Sequence, residues 1–342
     1  MIKTVCSSLK KMIAIGFILF TFVNESFSQQ PSLTWAKQAG GNNSDYCYDI
    51  FAAPDGSIYS AGGYTGTAIF GSFILQTQLG TNKGYVSKSN TNGTILWVKD
   101  FGGYANKIAA GPQGTIYVSG YFSGTENFGG ISLTATTSAD LFLLKMNGNG
   151  DVVWGKNFQG VSSNSIVSDA SGNIYMGGSS LGATFGSIAL SHSGTGPDVF
   201  LAKFDSNGTP LWAQKYGGVN PDQCTGLDID ANGNIYVTGY FLSGTDIGTS
   251  TFVSYGFFDI FVFKTDPIGG VIWAKQVGGS DDNKSSAIAV DSQGNAYLTG
   301  SSTGISQFGS FSATSINYNA YLCKMNPSGT PLWLKSYFTD QT

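Results

Sequence analysis

The side chains that could do chemistry are few, and most lack partners nearby in the sequence. The single histidine is His192, within Ser191-His192-Ser193-Gly194. A catalytic or metal-bound histidine needs second and third groups at fixed spacing. None stands close to it, so it reads as an exposed loop residue, and no nucleophile elbow supplies the serine of a triad. The carboxylates best suited to paired acid and base work are Asp45, Asp222 and the Asp281-Asp282 pair. Converging on one channel within about 5–10 Å, they would suit a glycoside hydrolase or lyase.

Asp140, Asp198 and Asp259 each stand five residues before a lysine, while Lys83 and Asn319 hold that place elsewhere. A ring of such carboxylates could take a cation or a sugar hydroxyl. Strand-start residues bonding to local backbone give the same pattern, and that is the reading expected. Asp228-Ile-Asp230-Ala-Asn232-Gly233-Asn234 resembles the opening of a calcium loop, yet Gly239 occupies the twelfth position, where a glutamate is required. A hairpin turn is expected there. Asn92-Gly93-Thr94 and Asn207-Gly208-Thr209 match a glycosylation acceptor pattern, but their place in a recurring turn explains them without a sugar. No metal ligand set and no cofactor motif emerges.

Aromatic residues offer a different chemistry. Tyr64, Tyr121, Phe122, Tyr240 and Phe241 stand at equivalent points before the most variable stretches of the chain. They are candidate rim residues that could stack on a glycan, since variable loops on a rigid scaffold commonly carry function.

The elements that must position these groups are read from a repeat. All six tryptophans, Trp35, Trp97, Trp154, Trp212, Trp273 and Trp333, recur at steps of 62, 57, 58, 61 and 60 residues. Lys88, Lys145, Lys203, Lys264 and Lys324 each precede a tryptophan by nine residues, and Tyr59, Tyr117, Tyr175, Tyr236 and Tyr297 form a third series. Self-similarity at a fixed step is the mark of repeat architecture. Each unit reads as two hairpins. The first turn recurs at Asp55-Gly56, Gln113-Gly114, Ser171-Gly172, Asn232-Gly233 and Gln293-Gly294, the second at Asn92-Gly93, Asn149-Gly150, Asn207-Gly208, Ile268-Gly269 and Ser328-Gly329. A variable loop of roughly twenty residues is expected between the hairpins. Four short strands cannot bury both faces alone, and stacking copies around an axis does so. The expected fold is therefore all-β, a propeller of five four-stranded antiparallel blades, with units at about 35–96, 97–153, 154–211, 212–272 and 273–335. The tryptophans would be apolar knobs between blades, and the lysines would lay their stems along the sheets.

Composition narrows the function classes. Glycine accounts for 48 of 342 residues and charged residues for 11%, against about 25% in ordinary domains. The 17 basic residues are all lysine and the net charge is −4. An acidic chain without guanidinium groups argues against nucleic acid and phosphate ligands. Lys3, Lys10 and Lys11, the apolar run Met12 to Val23 and the small residues Ser26 and Ser28 read as a signal peptide over 1–28. The remainder, 29–342, is one propeller domain with no stable membrane span. Export to the periplasm, cell surface or medium is expected. Three cysteines then remain, Cys47, Cys224 and Cys323. An odd number cannot fully pair, so all three are expected to be small buried hydrophobes.

Stretches such as "DIDANGNIYVTGYF", "DVFLAKFDSNGTPLWAQKYGG" and "DIFVFKTDPIGGVIWAKQVGG" resemble the bacterial β-propeller repeat family called SBBP, for seven-bladed β-propeller. The resemblance covers residues 35–335. It implies an exported, repeat-rich propeller of secreted or envelope proteins and implies no activity. This chain departs from the family in having five units. It also carries one surplus tryptophan segment, Leu33 to Lys37, ahead of the first unit, and it stops nine residues after Trp333. The expected function is a non-catalytic scaffold binding an extracellular or envelope polysaccharide or protein, with no cofactor. The alternatives are a propeller enzyme acting on glycans and a shortened remnant of a larger surface protein.

Overall fold

A computed structural model describes residues 34–192 and 194–337, with only the backbone of Ile316. The expected signal peptide lies outside the described residues. Two compact units divide the chain, Met1–Lys37 and Gln38–Thr342. All of the described strands lie in the second.

That unit is all-β. Its strands form successive four-stranded antiparallel meanders. The first is Asp45–Ala52, Ile58–Thr65, Asn82–Ser89 and Ile95–Gly102. The second is Tyr104–Ala110, Ile116–Phe122, Asp140–Met146 and Val152–Phe158. The third is Val161–Ser168, Ile174–Ser180, Asp198–Phe204 and Pro210–Tyr216. The fourth is Asp222–Ile229, Ile235–Ile247, Ser250–Thr265 and Val271–Gly279, and the fifth is Asn283–Val290, Ala296–Phe308, Phe311–Met325 and Pro331–Tyr337. The fourth and fifth share one sheet, because Gly278 and Gly279 pair with Gln307 and Ser306.

The turns follow from their residues. In the first turn of the fourth meander, the Asp230 carboxylate accepts the N–H groups of Asn232 and Asn234 at 2.9 Å. Asp169 and Asp291 do the same in their own meanders. A short acidic side chain that satisfies its own turn is a local device. The calcium-like stretch is therefore a hairpin. Asp228 points elsewhere, and its Oδ2 accepts Val290 N–H of the next meander at 2.7 Å.

The stretch between hairpins departs from expectation. It is no loop but a second small ribbon in every meander: Thr67–Phe70 with Phe73–Gln76, Thr125–Phe128 with Ile131–Thr134, Ala183–Phe185 with Ile188–Leu190, and the outer parts of the long strands in the last two. An apolar residue followed by glycine makes each tip. Phe70, Phe128, Phe185, Ile247 and Phe308 are all buried, and the glycines after them have φ of 61 to 65°, a left-handed conformation open to glycine at no steric cost. The anchoring side chain turns what reads as a polar loop into a flap packed on its own sheet.

Apolar clusters fill the spaces between consecutive meanders. Tyr59, Ala61 and Val86 of the first meet Ile108, Val118, Phe142 and Leu144 of the second, and the same arrangement recurs three more times. Trp97, Trp154, Trp212 and Trp273 sit in the fourth strands of the first four meanders, half-buried at these junctions. Trp97 Nε1–H donates to Gly148 O, Trp154 to Ser206 O, Trp212 to Pro267 O and Trp273 to Pro327 O, at 3.0–3.3 Å. Each acceptor lies in the second turn of the following meander. The repeat lysines lie over the repeat tyrosines. Lys88, Lys145, Lys203, Lys264 and Lys324 place Nζ at 4.6–6.0 Å from the ring centroids, within cation–π range.

The segment Thr34–Gln38, which holds Trp35, is not a strand. Ala39–Gly41, however, pairs with the first flap, as Gly278 and Gly279 pair with the fifth. Both glycine pairs follow their tryptophan by five and six residues.

Candidate functional site

A site that recognises one ligand has to break the repeat, because equivalent residues in every unit serve packing. The break falls at one end of the fourth and fifth meanders. Their third strands, Ser250–Thr265 and Phe311–Met325, are twice the length of those before them. The extra residues of the fourth meander carry exposed aromatics, and Tyr318 lies in the matching part of the fifth.

Phe258 is the centre of this cluster. Its ring lies 5.2 Å from Tyr240 at 73° and 4.6 Å from Phe257 at 78°, both edge-to-face arrangements favoured by the ring quadrupoles. Lys284, the second residue of the fifth meander, lies over both inner rings, with Nζ 4.2 Å from the Phe258 centroid and 5.3 Å from that of Tyr240. Asp282 Oδ2 stands 4.0 Å from the same Nζ and accepts the Tyr318 hydroxyl at 3.1 Å. That hydrogen bond to a carboxylate raises the Tyr318 pKa above its usual value and keeps the phenol protonated. Tyr255, Phe257 and Tyr318 remain 60–72% exposed. Exposed aromatics held in a polar frame form a shelf with one acceptor, one cation and two flanking hydroxyl groups.

The residues expected at a rim divide. Tyr64, Phe122 and Phe241 are buried to within 3% and offer no face to a ligand, a correction with a clear cause: the flaps pack over them. Tyr64 instead donates its hydroxyl to Asp100 at 2.7 Å. Tyr121 is half-buried and donates to Ser162 Oγ at 3.0 Å. Only Tyr240 joins the shelf. Phe257, Phe258, Tyr255, Tyr318 and Lys284 were not singled out by the sequence. Their signal was the extra length and the aromatic run Tyr255-Gly256-Phe257-Phe258 in a stretch that reads as loop.

The carboxylates do not gather. Asp45 lies in the first meander, where its Oδ2 accepts Gly41 N–H at 2.6 Å. Asp222 opens the fourth and has no exposed surface. Asp281 and Asp282 precede the fifth. Asp222 is instead beside Asp198, around Gly217. Burial first, and then the charges of Asp198 and Asp246, push its pKa up to about 7. Asp140 accepts Thr136 and Thr137 N–H and Asn157 Nδ2. Asp198 pairs with Lys215 at 2.9 Å, and Asp259 accepts Tyr255 N–H and Gln276 Nε2. His192 follows the third flap in an irregular stretch, with its Nε2 3.1 Å from Gly194 O. A shallow depression of 360 Å³ lies beside the acid pair, lined by Gly217, Gly218, Thr245, Asp246 and Phe252. Among the described residues no cluster of three or more His, Cys, Asp or Glu side chains could hold a metal ion, and no helix is long and apolar enough to cross a membrane.

Of the cysteines, Cys224 and Cys323 are buried and Cys47 is exposed. The expectation of three buried thiols is corrected at Cys47, whose equivalents in later meanders are covered by the meander before them.

Among known proteins, residues 211–240 and 272–308 match the family model of the SBBP β-propeller repeat. An uncharacterized WD repeat-containing protein of Acanthamoeba polyphaga mimivirus is 29% identical over 175 residues, and the match spans 41% of this chain and 12% of that protein. Among solved structures, a member of the DUF4221 family from Bacteroides vulgatus is 10% identical, covering 89% of this chain and 86% of its own, with a TM-score of 0.41. A gluconolactonase from Xanthomonas campestris is 14% identical, covering 88% and 89%, with a TM-score of 0.37. Likeness at that level carries neither residues nor activity across.

Proposed function

We propose that this chain, which carries SBBP β-propeller repeats, is an exported scaffold whose five meanders act as blades and whose aromatic shelf binds a polysaccharide. The observation that carries the reading is the set Tyr240, Phe257, Phe258 and Tyr318 around Lys284 and Asp282. A pyranose ring has an apolar C–H face and a hydroxyl edge. Exposed rings suit the first, and a carboxylate with neighbouring donors suits the second. Clustered exposed aromatics also lower solubility unless they serve an interaction.

A binder rather than an enzyme is favoured by the scatter of Asp45, Asp222 and Asp281-Asp282 over three places in the array, and by the closure of Asp222 from solvent. Export rests on residues 1–28 and is part of the same proposal. The test is affinity electrophoresis of the chain through gels cast with hexose polymers, beside Phe257→Ala and Tyr318→Ala. Retardation by at least one polymer, reduced about tenfold in the variants, supports the reading. Equal mobility of all three proteins in every gel, or hydrolysis of the polymer, overturns it.

A further inference from the structure

The aromatic shelf already holds one ammonium group, that of the chain's own Lys284. Its Nζ lies 4.2 Å from the Phe258 centroid and 5.3 Å from that of Tyr240, with Asp282 Oδ2 4.0 Å away. A cation over aromatic faces and beside a carboxylate is held by both. The rings that Lys284 covers are the inner ones. Tyr255 and Phe257, on the same long strand, remain exposed. The fourth meander has a meander on each side of it, so that exposure belongs to the shelf itself.

The charges around the shelf are unequal. Segments 240–259, 278–284 and 301–320 build it, and their charged residues are Asp246, Asp259, Asp281, Asp282 and Lys284. Asp259 is buried and accepts Tyr255 N–H and Gln276 Nε2. Asp246 lies in the flap, where it accepts the Thr251 hydroxyl. Asp282 is shared between Lys284 and the Tyr318 hydroxyl. Asp281 is left over. It is exposed, its Oδ2 accepts the neighbouring Ser280 hydroxyl at 3.1 Å, and among the described residues no lysine pairs with it. Its place is fixed from two sides. A Cβ on Gly256 would lie 2.5 Å from Asp281 O and 2.6 Å from Asp281 N, and a Cβ on Gly304 would clash with Asp281 Oδ2. One glycine comes from each meander, and Gly256 stands between Tyr255 and Phe257. The uncompensated carboxylate is therefore seated against the strand that carries the exposed rings.

We propose that the shelf selects a polysaccharide of hexosamine units with free amines over neutral and uronate polymers. This rests on the polysaccharide-binding reading above and names the class of polymer. The C–H face of the sugar lies on an exposed ring. Its ammonium meets Asp281 and a neighbouring ring, as Lys284 meets Asp282 and Phe258 within the chain. Asp281 and Asp282 against Lys284 leave one negative charge, which one ammonium neutralises. A uronate sets a second carboxylate against the same pair and finds Lys284 already engaged.

The test is isothermal titration calorimetry of the full chain with β-linked hexamers of glucosamine, N-acetylglucosamine, glucose and a hexuronic acid. Acetylation keeps the ring and removes the charge. The glucosamine hexamer is expected to bind about five- to tenfold tighter than the two neutral hexamers at low salt, the sum of an exposed ion pair and a cation–π contact, with the hexuronate weakest. High salt removes that advantage. Asp281→Asn, folded by circular dichroism, brings the ratio of glucosamine to glucose affinity close to one. Asp246→Asn, which removes the same charge from the flap, keeps the ratio. Equal affinities for amino and neutral hexamers in the native chain overturn the selection and leave the polysaccharide reading standing, whereas no binding of any hexamer overturns both. A hexuronate bound most tightly overturns the selection too. So does hexalysine bound as tightly as the glucosamine hexamer, since the site would then read peptide ammonium groups without a sugar.

Discussion

Asp222 stands against Asp198 as Asn283 stands against Asp259 in the next meander, so an acid occupies the place of an amide. Both acids flank Gly217, where a Cβ would lie 2.6 Å from Asp198 Oδ1 and 2.7 Å from Asp222 Oδ2. Asn283 Oδ1 accepts the Ser306 hydroxyl, and its amide N–H can serve the neighbouring carboxylate. Asp222 reproduces that donor only when protonated, and its pKa of about 7 reflects burial reinforced by two nearby negative charges.

The sign of the pH dependence is set by that raised pKa. The folded protein holds a proton on Asp222 that the unfolded chain releases near its ordinary pKa of 3.8. This group's contribution is therefore complete below about pH 4 and is lost as pH rises through about 7. Asp222→Asn should remove that dependence and raise stability at pH 8 by on the order of 2–4 kcal/mol. Urea unfolding at pH 5 and pH 8 checks it: parallel losses in native protein and variant would show that Asp222 is ionised in the fold.

Gly239→Ala should cost about 2–4 kcal/mol by overpacking. A methyl there would meet Gln223 O at 1.9 Å and Phe261 Cζ at 2.2 Å. The register shift between Cys224 and Gly226 accompanies this close approach of the carbonyl to the glycine, as bulges commonly re-aim a strand. Gly62, Gly120, Gly178 and Gly300 meet the equivalent carbonyl at 1.7–2.0 Å. Thermal unfolding of Gly239→Ala beside Gly80→Ala, whose methyl would touch nothing within 4 Å, separates this clash from a general glycine effect. Gly80 has φ of 84°, so its variant measures the backbone strain alone.

These glycines mark how far the sequence could be read. Each follows its repeat tyrosine by three residues, a period as regular as the tryptophans, because the bulge recurs in every unit. Strand order, turns and the packing of unit on unit were legible for the same reason: identical local chemistry at identical spacing. The flaps were not, since Phe-Gly at their tips is a small signal in a polar stretch and only its burial makes a ribbon of it. The shelf was less legible still. Tyr240 stood in a repeated position, but Phe257, Phe258 and Tyr318 come together from two meanders through tertiary packing, and no spacing along the chain encodes that. Tyr64 and Phe241 mislead in the opposite sense, since they stand one residue further along the strand than the position of Tyr240, on the alternate face that the flap covers.

Thiol reactivity should separate Cys47 from the other two described cysteines. Burial pushes Cys224 and Cys323 up to about 12, and a protonated, enclosed thiol is a poor nucleophile. At low protein concentration and pH 8, a maleimide should modify Cys47 within minutes and leave Cys224 and Cys323 intact until the chain unfolds. Peptide mapping of the labelled protein reads this directly. Rapid modification of Cys224 in the folded chain would mean that the third and fourth meanders are not packed as described.

Trp273 and Trp333 occupy the same strand position in neighbouring meanders, yet their substitution should differ in cost. The Trp273 indole N–H donates to Pro327 O, and its ring covers Gly329, where an added methyl would sit 2.9 Å from it. Phenylalanine there leaves a carbonyl without its donor and a gap at the junction, costing about 2–3 kcal/mol. Trp333 keeps the ring contact with Tyr297 at 6.2 Å but has no described meander beyond it. Trp333→Phe in dilute solution should therefore cost less than about 1 kcal/mol, in line with substitutions away from packed junctions. Urea midpoints of the two variants, measured at a concentration where the chain is monomeric, decide the matter. Equal losses would mean that the fifth meander is covered as fully as the fourth in a single chain.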